Sequence, residues 1–225
     1  MCRFSRLVLA SLVVYLFVAL ASAEEKPKQT IKGFGTVVDP DGDCQVKEEN
    51  GKVTMIVPKT HHDLTYTEDY TKLNAPRILQ EVKGDFRLEV KVAAFDLPDD
   101  KASSGGKYSF VSAGLLVWQD DRNFIRMDRA AVAKRAFVWV ERFQDGKSVS
   151  QKLSPLENKD TYLRATRKAD TFTFETSEDG KDWAEVQVEE PKLAEPLKVG
   201  VLAINTTTEE FSAKLEDLKL SQGSK

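Results

Sequence analysis

The chain is expected to fold as an all-β sandwich in one domain, and three observations predict it. About a dozen short stretches carry apolar residues either in an unbroken run or at every second position. Turn dipeptides of the Asn-Gly and Asp-Gly kind separate them at short intervals, and no stretch has a convincing helical period. The stretch around which the rest is organised is Ala113 to Gln119, the turn Asp120-Asp121-Arg122, and Asn123 to Ala131. A continuous apolar run, a polar turn and an alternating run describe a strand from the middle of a sheet paired with a more solvated neighbour.

At the N-terminus, Arg3 and Arg6 precede an apolar run from Leu7 to Leu20, which ends in Ala21-Ser22-Ala23 before Glu24-Glu25. A positive start, a run too short to span a bilayer comfortably and a small-x-small end describe a secretory signal peptide, residues 1–23. The mature protein is therefore expected in the periplasm or outside the cell, with no membrane attachment after cleavage. Loss of Arg3 and Arg6 takes the formal net charge from −3 to −5. Acidic residues interrupt the lysines and arginines almost everywhere, which excludes a nucleic-acid surface. Cys2 leaves with the signal and Cys44 remains as a single thiol, so no intramolecular disulfide forms and the domain must rest on its hydrophobic core.

Residues 24–30 are polar and aperiodic, a short tether, and the sandwich domain is expected over 31–221. Cys44 to Glu49 and Lys52 to Val57 flank Asn50-Gly51, the dipeptide that takes the positive φ values of a tight hairpin. Lys59 to Pro76, with both histidines, is expected to be a long loop. Ile78 to Val82, a turn at Lys83-Gly84-Asp85 and Phe86 to Phe95 form the next hairpin, with Phe86, Leu88, Val90 and Val92 on one face and Arg87, Glu89 and Lys91 on the other. Asp96 to Ser109, rich in Gly, Ser and Pro, is a second long loop. Past the central hairpin, Ala136 to Phe143 turns at Asp145-Gly146, Thr161 to Arg167 turns at Lys168 to Asp170, and Thr171 to Thr176 turns at Asp179-Gly180 into Trp183 to Val188. Leu197 to Ile204 and Phe211 to Leu220 close the chain.

Among motifs, Asp39-x-Asp41-x-Asp43 has the spacing of a calcium-loop start, although Cys44 replaces the glycine and Asn50 the bidentate glutamate of an EF-hand. Asp39, Asp41 and Asp43 are thus a candidate site for calcium, the one cofactor the sequence raises. His61 and His62 are neighbours in an extended stretch and should point to opposite sides, whereas His61 and Asp63 can face the same way. Ser177-x-Asp179-Gly180 is one residue short of a sialidase Asp-box and reads as a turn. Asn205-Thr-Thr207 is an N-glycosylation acceptor pattern. There is no Gly-x-Ser-x-Gly elbow, no phosphate-binding glycine loop and no His-Glu-x-x-His, and no catalytic residue is assigned.

The combination of Asp39-Pro-Asp-Gly-Asp-Cys44, Thr60-His-His-Asp-Leu64, Asn74-Ala-Pro-Arg77, Val82-Lys-Gly-Asp-Phe86, Ala113 to Asp120 and Ser177 to Trp183 resembles the DUF1349 family of the concanavalin A-like lectin/glucanase superfamily, in particular its exported planctomycete-type versions. The resemblance covers about Gly33 to Leu220 and implies a jelly-roll sandwich of two antiparallel sheets whose concave face and rim loops hold a glycan. The strand on which the superfamily's glucanases carry Glu-x-Asp-x-x-Glu has no counterpart here. The expected ligand site is His61, His62, Asp63 and Arg77 from the loop side with Trp118, Arg126, Asp128 and Trp139 from the sheet. A glycan or a glycan-bearing partner is the expected ligand. The alternatives are a secreted glycoside hydrolase or lyase of the same fold, and a protein-interaction module.

Overall fold

The computed structural model describes residues 29–66, 71–99 and 108–223. The expected signal peptide, nearly all of the tether and parts of both long loops, 67–70 and 100–107, lie outside the described residues. Among the described residues there is no helix, and the strands run in the order β1 Thr30–Ile31, β2 Gly35–Val38, β3 Gln45–Glu49, β4 Lys52–Val57, β5 Leu64–Tyr66, β6 Thr71–Leu73, β7 Arg77–Val82 and β8 Phe86–Val92. They continue with β9 Phe110–Asp120, β10 Asn123–Val132, β11 Arg135–Gln144, β12 Lys147–Leu156, β13 Thr161–Lys168, β14 Thr171–Ser177, β15 Ala184–Glu189, β16 Leu197–Asn205 and β17 Phe211–Gln222.

Two antiparallel sheets pack as the expected jelly-roll sandwich. The eight-stranded sheet has the order β1-β2-β7-β16-β9-β10-β11-β12 and the seven-stranded sheet the order β15-β14-β13-β8-β17-β4-β3. The period of two decides what lies between them. Leu88 and Val90 of β8, Val53 and Met55 of β4, and Leu163 and Ala165 of β13 meet Leu115 and Val117 of β9, Ile125 and Met127 of β10 and Val199 and Val201 of β16 in one buried core. Each such side chain contributes about 1.5–3 kcal/mol on burial, which is what a domain without disulfides depends on.

A second apolar cluster lies on the opposite, outer face of the eight-stranded sheet. Leu79, Phe110, Leu116, Trp118, Phe124, Phe143, Leu202 and Ile204 stand one position out of step with the core residues of the same strands. Leu64, Leu73 and Ala75 pack on them. These three come from the first expected loop, which is in part a small hairpin, β5 paired with β6 through Leu64–Leu73 and Tyr66–Thr71. The expectation of loop over Lys59 to Pro76 is corrected accordingly. The two strands are three residues each, too short for an alternation to stand out in the sequence.

The hairpin cover also corrects the reading of β10 as a solvated strand, because residues Phe124 to Ala131 are all buried. Arg126 and Asp128 face each other rather than water, and Arg129, also buried, donates from Nε to Lys159 O at 3.1 Å. The turns follow their residue types at Asn50-Gly51, with φ of 55° and 77°, and at Asp145-Gly146, with 52° and 75°. The β10–β11 turn does not, since Ala133 and Lys134 take φ of 48° and 64°. The nine-residue-pair ladder from Phe124–Phe143 to Val132–Arg135 imposes that geometry on residues with no preference for it.

Candidate ligand-binding face

On the outer sheet face, Arg126 and Asp128 of β10 and Glu141 of β11 occupy alternate positions, so the pleat points all three to the same side as Phe124 and Phe143. Arg126 donates from Nε (3.1 Å) and Nη2 (2.6 Å) to Glu141 Oε2 and from Nη1 to Asp128 Oδ2 (3.1 Å). Glu141 Oε1 accepts from Ser148 Oγ and Gln151 Nε2, both at 2.7 Å. Every oxygen of Glu141 is therefore engaged. Burial opposes the Arg126 charge, but Glu141 and Asp128 outweigh it and hold the guanidinium protonated. Asp128 is fully buried, and burial, with Glu141 and Asp63 adding, pushes its carboxyl up to about 7 against the opposing pull of Arg126 and Ser112.

Asp128 Oδ1 and Ser112 Oγ are both buried without a hydrogen-bond partner in the protein. The hydroxyl lies near enough to stabilise the carboxylate, but the two do not meet in hydrogen-bonding geometry. The indole Nε1 of Trp139 is a third such atom. Trp139 is half-buried beside Asp128, its register partner, and takes the edge of Phe110 at 5.5 Å and the Arg126 guanidinium at 5.5 Å. Beyond it, Leu153 of β12, paired with Trp139, is exposed, as is Tyr108 ahead of β9. Gly114, which pairs with Asp128 from the other side, admits no side chain, because a Cβ would lie 2.0 Å from Met127 O.

The loop residues divide as the alternation predicts. His61 Nε2 lies 3.8 Å from Asp63 Oδ2, and burial is the main cause that lowers the His61 imidazole, with Lys72 and His62 adding and Asp63 opposing. Asp63 is held by Leu64 N (2.7 Å), Thr65 Oγ1 (2.8 Å) and, through its own N–H, Asn74 Oδ1 (3.0 Å). Its charge is felt by both Arg126 and Asp128, so loop and sheet residues meet here. Arg77 and Trp118 share the face, with the guanidinium 4.7 Å from the indole centroid. Arg77 Nη1 donates to Leu73 O and Ala75 O, tying the hairpin to the sheet, and burial lowers the Arg77 guanidinium against the pull of Asp121. Trp118 stacks on Phe124 at 5.0 Å and is buried, so it is part of the floor.

His62 points the other way and does not reach this face. Its Nε2 lies 2.9 Å from Asp43 Oδ1 and 3.9 Å from Asp41 Oδ2, and its ring is completely buried. The three turn aspartates do not act as one group: Asp39 accepts from its own turn, Gly42 N (3.1 Å) and Cys44 N (2.9 Å). Burial, then Asp39 and Asp43, push the Cys44 thiol far up, which removes it as a nucleophile. Asn205 is buried, and its Nδ2 donates to Val57 O, Pro58 O and Glu209 O, so the acceptor pattern is closed to modification in the folded chain. Asp179 and Ser177 cap their own turn, as expected.

A family model described as a protein of unknown function, DUF1349, matches residues 42–223. The chain belongs to the DUF1349 family. No curated protein matches this DUF1349 chain. Among solved structures it is similar to a functionally unknown protein from Saccharomyces cerevisiae, with 20% identity, a TM-score of 0.69 and coverage of 86% of this chain and 98% of the other. It is also similar to the GH43 protein BlXynB from Bacillus licheniformis, at 15% identity and a TM-score of 0.61, over 81% of this chain and 35% of that one. A GH43 glycoside hydrolase engineered to display both endo-xylanase and exo-arabinofuranosidase activity is 10% identical, with a TM-score of 0.58, over 86% of this chain and 40% of the other. The DUF1349 chain thus spans between a third and two-fifths of these two hydrolases, and at such identities the likeness is one of fold.

Sequence reasoning missed Glu141, Ser112, Ser148 and Gln151. Glu141 was within reach, since the two-residue step that joins Arg126 to Asp128 also joins Trp139 to Glu141. Ser148 and Gln151 carry no such signal: Gln151 meets Glu141 only through the β11–β12 register, and a register shift between Arg142 and Phe143 brings Ser148 alongside.

Proposed function

We propose that this DUF1349 protein is an exported, non-catalytic carbohydrate-binding sandwich of the concanavalin A-like kind, working in the periplasm or outside the cell. Its ligand is a glycan or a glycan-bearing partner. The observation that carries this reading is the half-buried indole of Trp139 on the outer sheet face, set over the Arg126 guanidinium of the buried Arg126–Asp128–Glu141 network and paired across the strands with the exposed Leu153. A flat indole suits the apolar face of a pyranose ring. Arg126 engages both carboxylates of the face, and Glu141 has no oxygen left to act on a glycosidic bond, which favours binding over hydrolysis. The hydrolases of like fold supply a first ligand class to try, xylan and arabinoxylan oligosaccharides.

A glycan array with these oligosaccharides, probed with residues 24–225, tests the reading. Selective binding that falls at least tenfold in Trp139→Ala and Asp128→Asn, with folding intact, is expected. Absence of binding to every glycan defeats it. Recovery of a product beginning at Glu24 from the exported fraction tests the cleavage. One observation favours the hydrolase reading instead: Asp128, pushed up to about 7, has the proton affinity of a general acid. Release of chromophore from aryl xylosides and arabinosides, lost in Asp128→Asn, would establish it.

A further inference from the structure

We propose that Asp41, Asp43, Cys44 and His62 form a binding site for a zinc-like divalent transition metal, separate from the glycan face. Asp43, Cys44 and His62 are, among the described residues, a group whose donor atoms all lie within 4.8 Å of one another. Asp43 Oδ1 is 2.9 Å from His62 Nε2 and 3.7 Å from Cys44 Sγ, and Asp41 Oδ2 is 3.9 Å from His62 Nε2. Ligand bonds of about 2.0–2.3 Å around a tetrahedral ion put donor atoms about 3.3–3.7 Å apart, so Asp43, Cys44 and His62 close on an ion by side-chain shifts of up to about 1 Å and Asp41 turns in as the fourth ligand. One nitrogen, one sulfur and two carboxylate oxygens suit zinc, whereas calcium takes six to eight oxygens.

The hydrogen bonds of His62 suit a metal ligand. Its Nδ1 lies 3.0 Å from Thr60 O and 3.3 Å from Thr60 Oγ1, and the tautomer that donates to the carbonyl carries its proton on Nδ1 and leaves Nε2 free for an ion. Nε2 faces the Asp43 carboxylate at 2.9 Å, a contact that either a proton or a metal ion on Nε2 satisfies. A histidine that donates one ring N–H to a backbone carbonyl and presents the other nitrogen to an ion is the usual metal-ligand arrangement.

The supporting shell is already built. Asn74 Nδ2 holds Asp41 Oδ2 at 2.5 Å and His61 O at 2.9 Å, and Asp39 fixes the backbone of Gly42 and Cys44. His62 is anchored to β16 by a two-way backbone bridge with Asn205. Asp41 and Asp43 remain 43% and 44% exposed and offer a way in from solvent. Lys72 Nζ approaches Asp41 Oδ2 at 3.8 Å, the nearest competing cation. Binding replaces the thiol proton of Cys44 by the metal and releases it to solvent.

The test is titration of the chelator-stripped protein with zinc by calorimetry and with cobalt(II) by visible absorption. Binding of one equivalent is expected, with the cobalt spectrum of a tetrahedral site and a thiolate charge-transfer band, and with a rise in Tm. Cys44→Ala, a change at a partly exposed position, should abolish the thiolate band and weaken binding at least tenfold while the chain stays folded. His62→Gln should weaken it further, and Asn74→Ala by about 10–100-fold, as outer-shell partners do. Failure of the folded wild type to bind either ion, binding of calcium alone, or binding unchanged in Cys44→Ala would each overturn the proposal. None of these outcomes bears on the glycan array.

Discussion

Arg126 and Glu141 are register partners across β10 and β11, and their side chains meet at 2.6 Å with both groups almost wholly removed from solvent. Such a pair is costly to break on one side, because the survivor is left as a buried charge. Glu141→Gln or Arg126→Met should each lose about 3–5 kcal/mol in urea denaturation. Arg126→Met combined with Glu141→Leu should cost less than the two single losses added, by about 1–3 kcal/mol, as a double-mutant cycle would reveal.

Asp128 makes stability fall as pH rises. Its carboxyl moves from 3.8 to about 7 on folding, so between those values the folded chain holds a proton that the unfolded chain has released. The stability it contributes is fully present below pH 4 and is lost as pH climbs through 7. Asp128→Asn should flatten that slope in midpoints measured from pH 4.5 to 8, and an unchanged slope would show that another group is responsible.

The two outer-face tryptophans should separate binding from folding. Trp118 is buried between Arg77 and Phe124, and Trp118→Ala should cost about 3–5 kcal/mol. Trp139 is half-exposed, and Trp139→Ala should cost about 1 kcal/mol while reducing glycan affinity at least tenfold. Thermal melts beside array signals decide between these roles.

The β10–β11 turn is open to improvement. Ala133 and Lys134 sit in the left-handed region at about 1–2 kcal/mol each. Ala133→Asn with Lys134→Gly should raise stability by about 1 kcal/mol and shift Tm upward without altering ligand binding, since the side-chain contact of Lys134 with Asp99 is exposed and its N–H bond to Pro98 O is kept by glycine.

The sandwich was legible because its signals are local. Asn50-Gly51 and Asp145-Gly146 name their own turns, and the alternation in Phe86 to Val92 names its own buried face. The outer face was only half legible. Arg126 and Asp128 look like surface residues until β11 supplies Glu141, and the covering hairpin comes from a segment too short to announce itself. The encounter of Asp43 with His62 has no signature at all, since the turn before β3 and the strand exit after β4 are brought together by the packing of the whole chain. Asp39-x-Asp41-x-Asp43 drew attention to the right turn through a spacing rule that its side chains do not follow.

The position of β16 governs how the chain can assemble. It lies between β7 and β9 in the eight-stranded sheet, although it follows β9 by more than seventy residues in sequence. Until Leu197 to Asn205 is available, β7 and β9 each lack the neighbour that joins them, and the sheet remains two halves with open edges. β17 does the same for β8 and β4 in the other sheet. A nascent chain therefore cannot close early on its N-terminal part, and folding waits for the C-terminus. Slow, late closure of this kind makes unpaired β7 and β9 the segments on which a holding chaperone would act.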